Sequence, residues 1–160
     1  MQFTQSISYP GTVDEVVAMY LTPAYLERRF GQFVVEGSQV VSVEGERVSF
    51  AGTVCPELIP AAAARFVKSD LRVTFTEEWA TNEAGATSRT SVTVDGAPVS
   101  VEATSTLNPS DAGSAREVSG NLSVRVPLLG GRIEKEAVAH LGRVVEREQA
   151  LATQWLEEHR

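Results

Sequence analysis

Between residues 32 and 125, apolar and polar side chains alternate in one segment after another, and turn sequences join the segments. Residues 33–43 alternate and are rich in Val, Glu44-Gly45-Glu46 turns the chain, and residues 47–54 return with Val48, Phe50 and Val54 in one phase. The pattern recurs at 71–79, 87–94, 99–107 and 116–126, divided at 82–85, at Asp95-Gly96, and at Asn108-Pro109-Ser110-Asp111 with Gly113. Six strands in series with mostly short links predict an antiparallel meander, because parallel neighbours need crossovers of about a dozen residues or more. A doubly wound fold is thereby excluded.

The flanks add the rest. Residues 3–9 alternate with Phe3, Ile7 and Tyr9 in one phase and end at Pro10-Gly11, a further strand. Thr12 stands three residues before Glu15, a capping box that opens a helix through Tyr20; Thr22 and Pro23 open a second short helix that ends before Gly31. After Gly130-Gly131 the period becomes helical almost to the end. Ile133, Ala137, Leu141, Val144, Leu151, Ala152 and Trp155 fall within an arc of roughly 100°, the face an amphipathic helix buries. Such a helix is about 40 Å long, enough to cross a whole sheet. The expected architecture is α+β: a bent seven-stranded antiparallel sheet, two short helices after its first strand, and a long C-terminal helix over its apolar face. Where a bent sheet and a straight helix diverge, space opens between them.

Residues 56–69 break the strand rhythm with Pro56, Leu58-Ile59, Pro60 and a run of alanines. The segment reads as a short helix or a functional loop; Leu58, Ile59 and Phe66 would make it a lid, or it packs over one sheet edge and protects it. With 160 residues, no linker composition and no internal repeat, residues 1–160 read as one domain.

Composition removes several functions. A net charge of −7 with no Lys/Arg stripe argues against nucleic acid, and Arg28-Arg29, Arg143 and Arg147 read as solvated helix faces. A single cysteine, Cys55, closes no disulfide within the chain and reads as a small buried hydrophobe. No HExxH, GxSxG, GxGxxG or GxxxxGK[ST] motif is present, and His140 and His159 lack a ligand pattern around them; neither metal nor cofactor is expected. With no basic, apolar leader and no run of about 18 apolar residues, the expected location is the cytoplasm, without integral membrane association.

The opening strand followed by residues 13–20 and 24–29, the Pro56/Pro60 segment, the strand ending Glu77-Glu78-Trp79 and the closing helix ending Trp155-Leu156 resemble a known group. The chain is similar to helix-grip proteins of the superfamily that includes START lipid-transfer domains, birch-pollen-allergen-like proteins and polyketide cyclases, and within it to an uncharacterised actinobacterial family. The resemblance implies a hydrophobic cavity between sheet and final helix, used for lipids, sterols, hormones or polyketides. It implies no reaction, because a shared fold fixes no chemistry.

Polar residues on apolar faces are the candidate site. Glu148 lies near the centre of the helical arc, and an unpaired carboxylate buried there would become costly or neutral. It is a ligand anchor or an acid/base, or the helix has reached the rim and Glu148 meets water or an Arg. Glu77 shares the phase of Phe75 and Trp79, unless a bulge turns Glu78 inward instead. Gln39 falls in phase with Phe33, Val35 and Val41, and Gln5 lies between Phe3 and Ile7. Tyr20, Phe50, Phe75, Trp79, His140, Leu141, Val144 and Trp155 are cavity candidates that packing alone would equally explain.

Three functions stay open: a carrier of an apolar or amphipathic small molecule; a cyclase- or dehydratase-type enzyme placing Glu148 or Glu77 beside His140, Tyr20 or Arg65; and a filled-core domain acting through protein contacts. A homodimer is compatible with the sequence, which carries no feature that decides it.

Overall fold

The structure is a computed structural model that describes residues 1–59, 61–65, 67 and 69–160, with the side chain of residue 62 outside that set. Among the described residues the strands are β1 (Gln2–Tyr9), β2 (Val40–Glu44), β3 (Arg47–Thr53), β4 (Arg72–Thr81), β5 (Ala86–Asp95), β6 (Val99–Ser110) and β7 (Gly113–Val124). They form one antiparallel sheet in the order β1-β7-β6-β5-β4-β3-β2. The helices are α1 (Val13–Tyr20), α2 (Pro23–Phe30), α3 (Ala61–Ala64) and α4 (Gly130–Glu158). This is the α+β helix-grip architecture expected above.

Local chemistry explains the short helices. Thr12 Oγ1 accepts from Glu15 N at 3.2 Å while Thr12 N donates to Glu15 Oε1 at 3.0 Å, so the capping box is complete. At α2, Pro23 occupies the first turn as expected. The Thr22 hydroxyl, however, turns back to donate to Ala18 O at 2.7 Å and so ties the end of α1 instead of capping α2.

Two strand boundaries differ from the periodicity. The alternating run 33–43 yields a strand only from Val40; before it lie a 3₁₀ turn at Gly31–Phe33 and a turn in which Gly37 takes φ 81°. Ser38 Oγ donates to Val35 O at 2.5 Å and accepts from Thr53 N at 3.0 Å, replacing ladder bonds. Gln39 therefore sits half-buried in a loop, outside any strand phase, and Val35 is exposed. The loop expected at Asn108 to Gly113 is instead a tight hairpin whose register runs to Ser110↔Gly113.

Helix α4 has 29 residues, about 43 Å, and lies mainly across β1 and β7. Its start is pinned because a side chain at Gly130 would collide with the Val124 carbonyl. Its C-terminal half closes a core that includes Tyr9, Tyr20, Tyr25, Trp79 and Trp155, while Ile133 near its N-terminus joins a separate cluster with Leu122 and Val124. Among the described residues, no helix is long and apolar enough to cross a membrane.

Candidate functional site

The inner face of β4 to β7 carries a row of polar side chains that strand register brings together. Glu77 faces Thr90, Trp79 faces Ser88, and Ser88 faces Ser105. The register is unbroken at Glu77, so Glu77 is the inward carboxylate and Glu78 the exposed one. Arg116 Nη2 donates to Glu77 Oε2 at 2.8 Å and to Ser88 Oγ at 3.1 Å, and its Nε donates to Ser105 Oγ at 2.9 Å. Glu77 also accepts from Thr90 Oγ1 at 2.7 Å and from Trp79 Nε1 at 3.1 Å. Both charged side chains are buried, with 4% and 1% of their side-chain surface exposed. Burial works to raise the Glu77 pKa, but the charges of Arg116 and Arg29 and the Thr90 bond outweigh it and hold the carboxyl below its ordinary value. Glu77 is thus an ionised, fully bonded partner.

A second cluster joins α4 to the short helices. Arg29 Nε lies 2.8 Å from Glu148 Oε1 and 2.9 Å from Oε2. Tyr20 OH donates to Glu148 Oε1 at 2.9 Å, and Tyr9 OH lies 2.6 Å from Tyr20 OH. Burial first, and the Glu148 charge next, push the Tyr20 pKa well up, so the hydroxyl stays protonated and available to donate. The two clusters meet on Tyr20, whose ring lies 4.9 Å from the Arg29 guanidinium and 5.0 Å from that of Arg116 and stacks on Trp79 at 5.6 Å. Two polar atoms here are buried without a hydrogen-bond partner, Arg29 Nη1 and Tyr25 OH.

At the opposite end of α4 lies a cavity of about 270 Å³ with an apolar wall. Leu58 and Ile59 from the excursion, Leu71, Pro98 and Val99 from the sheet end, Leu122 and Val124 from β7, and Ile133 and Ala137 from α4 line it. Phe66 lies outside the described residues.

The expected site residues therefore separate. Leu58 and Ile59 line the apolar cavity; Glu148, Tyr20, Glu77 and Trp79 meet in the polar clusters; Phe50 and Phe75 pack with Leu26, Val34 and Val48. Trp155 is buried beside Tyr25, Leu141 and Gln5 are half-buried, and His140 and Val144 are exposed. Cys55 is half-buried at the end of β3, more open than a core thiol. Arg28, Arg143 and Arg147 are exposed as expected, but Arg29 is not: 12% of its side chain is accessible, because Glu148 compensates its charge. Sequence reasoning missed Arg116, Arg29, Tyr9 and Tyr25 as members of the network. Signals existed, since Arg116 is in phase with Leu122 and Val124, and Arg29 lies one helical turn beyond Tyr25. Among the described residues, no three His, Cys, Asp or Glu side chains gather as a metal site.

A family model described as "Protein of unknown function (DUF2505)" matches residues 4–156. The chain belongs to this family. The DUF2505 chain is 26% identical to the uncharacterized protein Rv0481c of Mycobacterium tuberculosis over 166 aligned positions, covering 96% of this chain and 95% of the relative. Its fold is that of norcoclaurine synthase from Thalictrum flavum, solved in complex with dopamine and hydroxybenzaldehyde, with a TM-score of 0.58, 13% identity, and 100% and 87% of the two chains covered. Ara h 8.0201 superposes with a TM-score of 0.59 at 11% identity over 99% of this chain and 98% of its own. DUF2505 thus shares the helix-grip fold of the birch-pollen-allergen-like proteins.

Proposed function

We propose that the protein binds or carries a small apolar or amphipathic molecule in the cavity beneath the first turns of α4. The observation that carries this reading is the apolar wall of a 270 Å³ space bordered by Leu58 and Ile59, residues from the one segment that departs from the meander. The volume equals about nine waters, near the lower end of small-molecule pockets, and an apolar wall gives water few partners. It suits a short acyl chain or a compact ring system; a whole sterol or long lipid would need the Leu58-Ile59 segment to move. Norcoclaurine synthase, of the same fold, was solved with small aromatic molecules bound, which supports the reading.

An enzyme of the cyclase kind draws on Glu148 or Glu77, and here the geometry is less favourable. Glu77 is held ionised by Arg116 with both oxygens bonded, and Glu148 is clasped by Arg29 and Tyr20, so neither is a free acid or base. Native mass spectrometry of the gently purified protein, followed by organic extraction, tests the carrier reading. The expected result is an added mass of small apolar character, released on denaturation and lost in Ala137→Phe, which fills the cavity. A folded Ala137→Phe protein that retains the same mass would overturn the assignment.

A further inference from the structure

A second cleft, separate from the apolar cavity, opens between α2 and α4. Its volume is about 300 Å³, the space of about ten waters. Arg28 and Arg29 come from the last turn of α2, and Arg147 and Glu148 from α4, so three guanidinium groups meet one carboxylate in a chain whose net charge is −7. Glu148 spends its charge on Arg29 Nε, and Arg28 pairs with Glu158 at 3.2 Å across a contact that is 44% exposed on both sides, where water screens it. Arg147 makes no ion pair among the described residues; its guanidinium stands 5.9 Å from the Phe33 ring. Arg29 lines the same cleft and keeps 12% of its side chain accessible. A guanidinium carries five N–H donors, so Arg29 has donors beyond the Nε that Glu148 holds.

The rest of the cleft is of mixed character. Phe33, Val144 and Leu151 give it an apolar wall, and Gln32 and Gln154 add amides. Val144 is 44% exposed, a large apolar side chain facing solvent on a stripe whose other members are buried or half-buried. We infer that this cleft is an anion site for a small organic carboxylate, whose head group pairs with Arg147 and Arg29 while a flat apolar body rests against Phe33, Val144 and Leu151. A planar carboxylate matches the fork of a guanidinium, and the apolar wall distinguishes such a ligand from an inorganic ion. This inference stands independently of the carrier reading, because among the described residues none lines both spaces.

Calorimetric titration with naphthalene-2-carboxylate and with its neutral counterpart, 2-naphthamide, tests it. The carboxylate is expected to bind at least about tenfold more tightly than the amide, with affinity falling as salt rises. Arg147→Gln, at an exposed position that leaves the fold intact, should weaken carboxylate binding about tenfold, while Ala137→Phe should leave it unchanged. Equal binding of acid and amide, wild-type affinity in a folded Arg147→Gln protein, loss of binding only in Ala137→Phe, or no binding at millimolar concentration would each overturn the inference.

Discussion

The groove beneath α4 is built differently at its two ends. Under the C-terminal half, Tyr9, Tyr20, Trp79, Arg116, Glu77, Arg29 and Glu148 fill it with rings and paired charges held by directional bonds. Under the N-terminal half, Leu122, Val124, Ile133 and Ala137 border a space that, among the described residues, no charged side chain lines. One sheet and one helix serve both ends, and the difference arises from the side chains they carry there and from the segments that flank them, α1 and α2 at one end and Leu58-Ile59 at the other. The filled end pins the angle between helix and sheet through bonds with strict geometry, whereas the empty end is bounded by dispersion contacts that tolerate adjustment. Rigidity at one end leaves the other free to adjust.

Removing a charge from the filled end should have the largest effect. Arg116→Ala leaves Glu77 buried without its counter-ion and should destabilise the protein by about 3–5 kcal/mol in chemical unfolding; a loss below about 1 kcal/mol would show that the pair does not pin this end. The pH dependence sharpens the test. Glu77 has its folded pKa depressed, so its contribution is present above the unfolded value of about 4.3 and is lost as pH falls through the folded one. In Arg116→Ala the buried carboxyl is pushed up instead, and acid should narrow the gap between variant and wild type. A gap that widens in acid would contradict the assignment of Glu77 as the ionised partner.

Tyr20→Phe should rank second. It keeps the ring stack on Trp79 but removes the hydroxyl shared by Tyr9 and Glu148, and a loss of about 1–3 kcal/mol is expected from buried acceptors left unpaired. Thermal unfolding followed by near-ultraviolet circular dichroism measures it; an unchanged midpoint would mean that Arg29 alone orients Glu148. The smallest effect belongs to the surface. Arg28→Ala removes the exposed pair with Glu158 and the guanidinium that lies 5.1 Å from the Trp155 ring, and should change stability by about 1 kcal/mol; a loss of several kcal/mol would extend the pinned region to the end of α4.

The sequence carried the fold because its two periods, near 2 across the meander and 3.6 after Gly130, are local signals. It failed at 33–39, where Ser38 and Gly37 offer the backbone a turn that hydrophobic alternation does not register. Glu77 and Glu148 stood out as carboxylates on apolar faces, yet their partners Arg116 and Arg29 lie 39 and 119 residues away, separations set by sheet order and helix placement. Arg29 illustrates the difficulty: beside Arg28 it reads as half of a solvated patch, although one residue of rotation along α2 carries it from water to the interior. The divergence of sheet and helix was an expectation from element order, and the apolar space lined by Ala137 lies at the start of α4. Its position at the start of α4 depends on long-range packing that no local pattern encodes.

The sheet order also sets a timetable. Strand β1 ends at Tyr9, and its one strand neighbour among the described residues, β7, opens at Gly113, so 103 residues lie between them. At ribosomal speeds of about 5–20 residues per second, β1 waits about 5–20 s for a partner after its own synthesis, and α4 comes later still. During that interval the nascent meander β2 to β6 presents growing, uncapped edges to its surroundings. Thr4, Ser6 and Ser8 point outward on β1, so the waiting strand carries its apolar side chains, Phe3, Ile7 and Tyr9, on one face only.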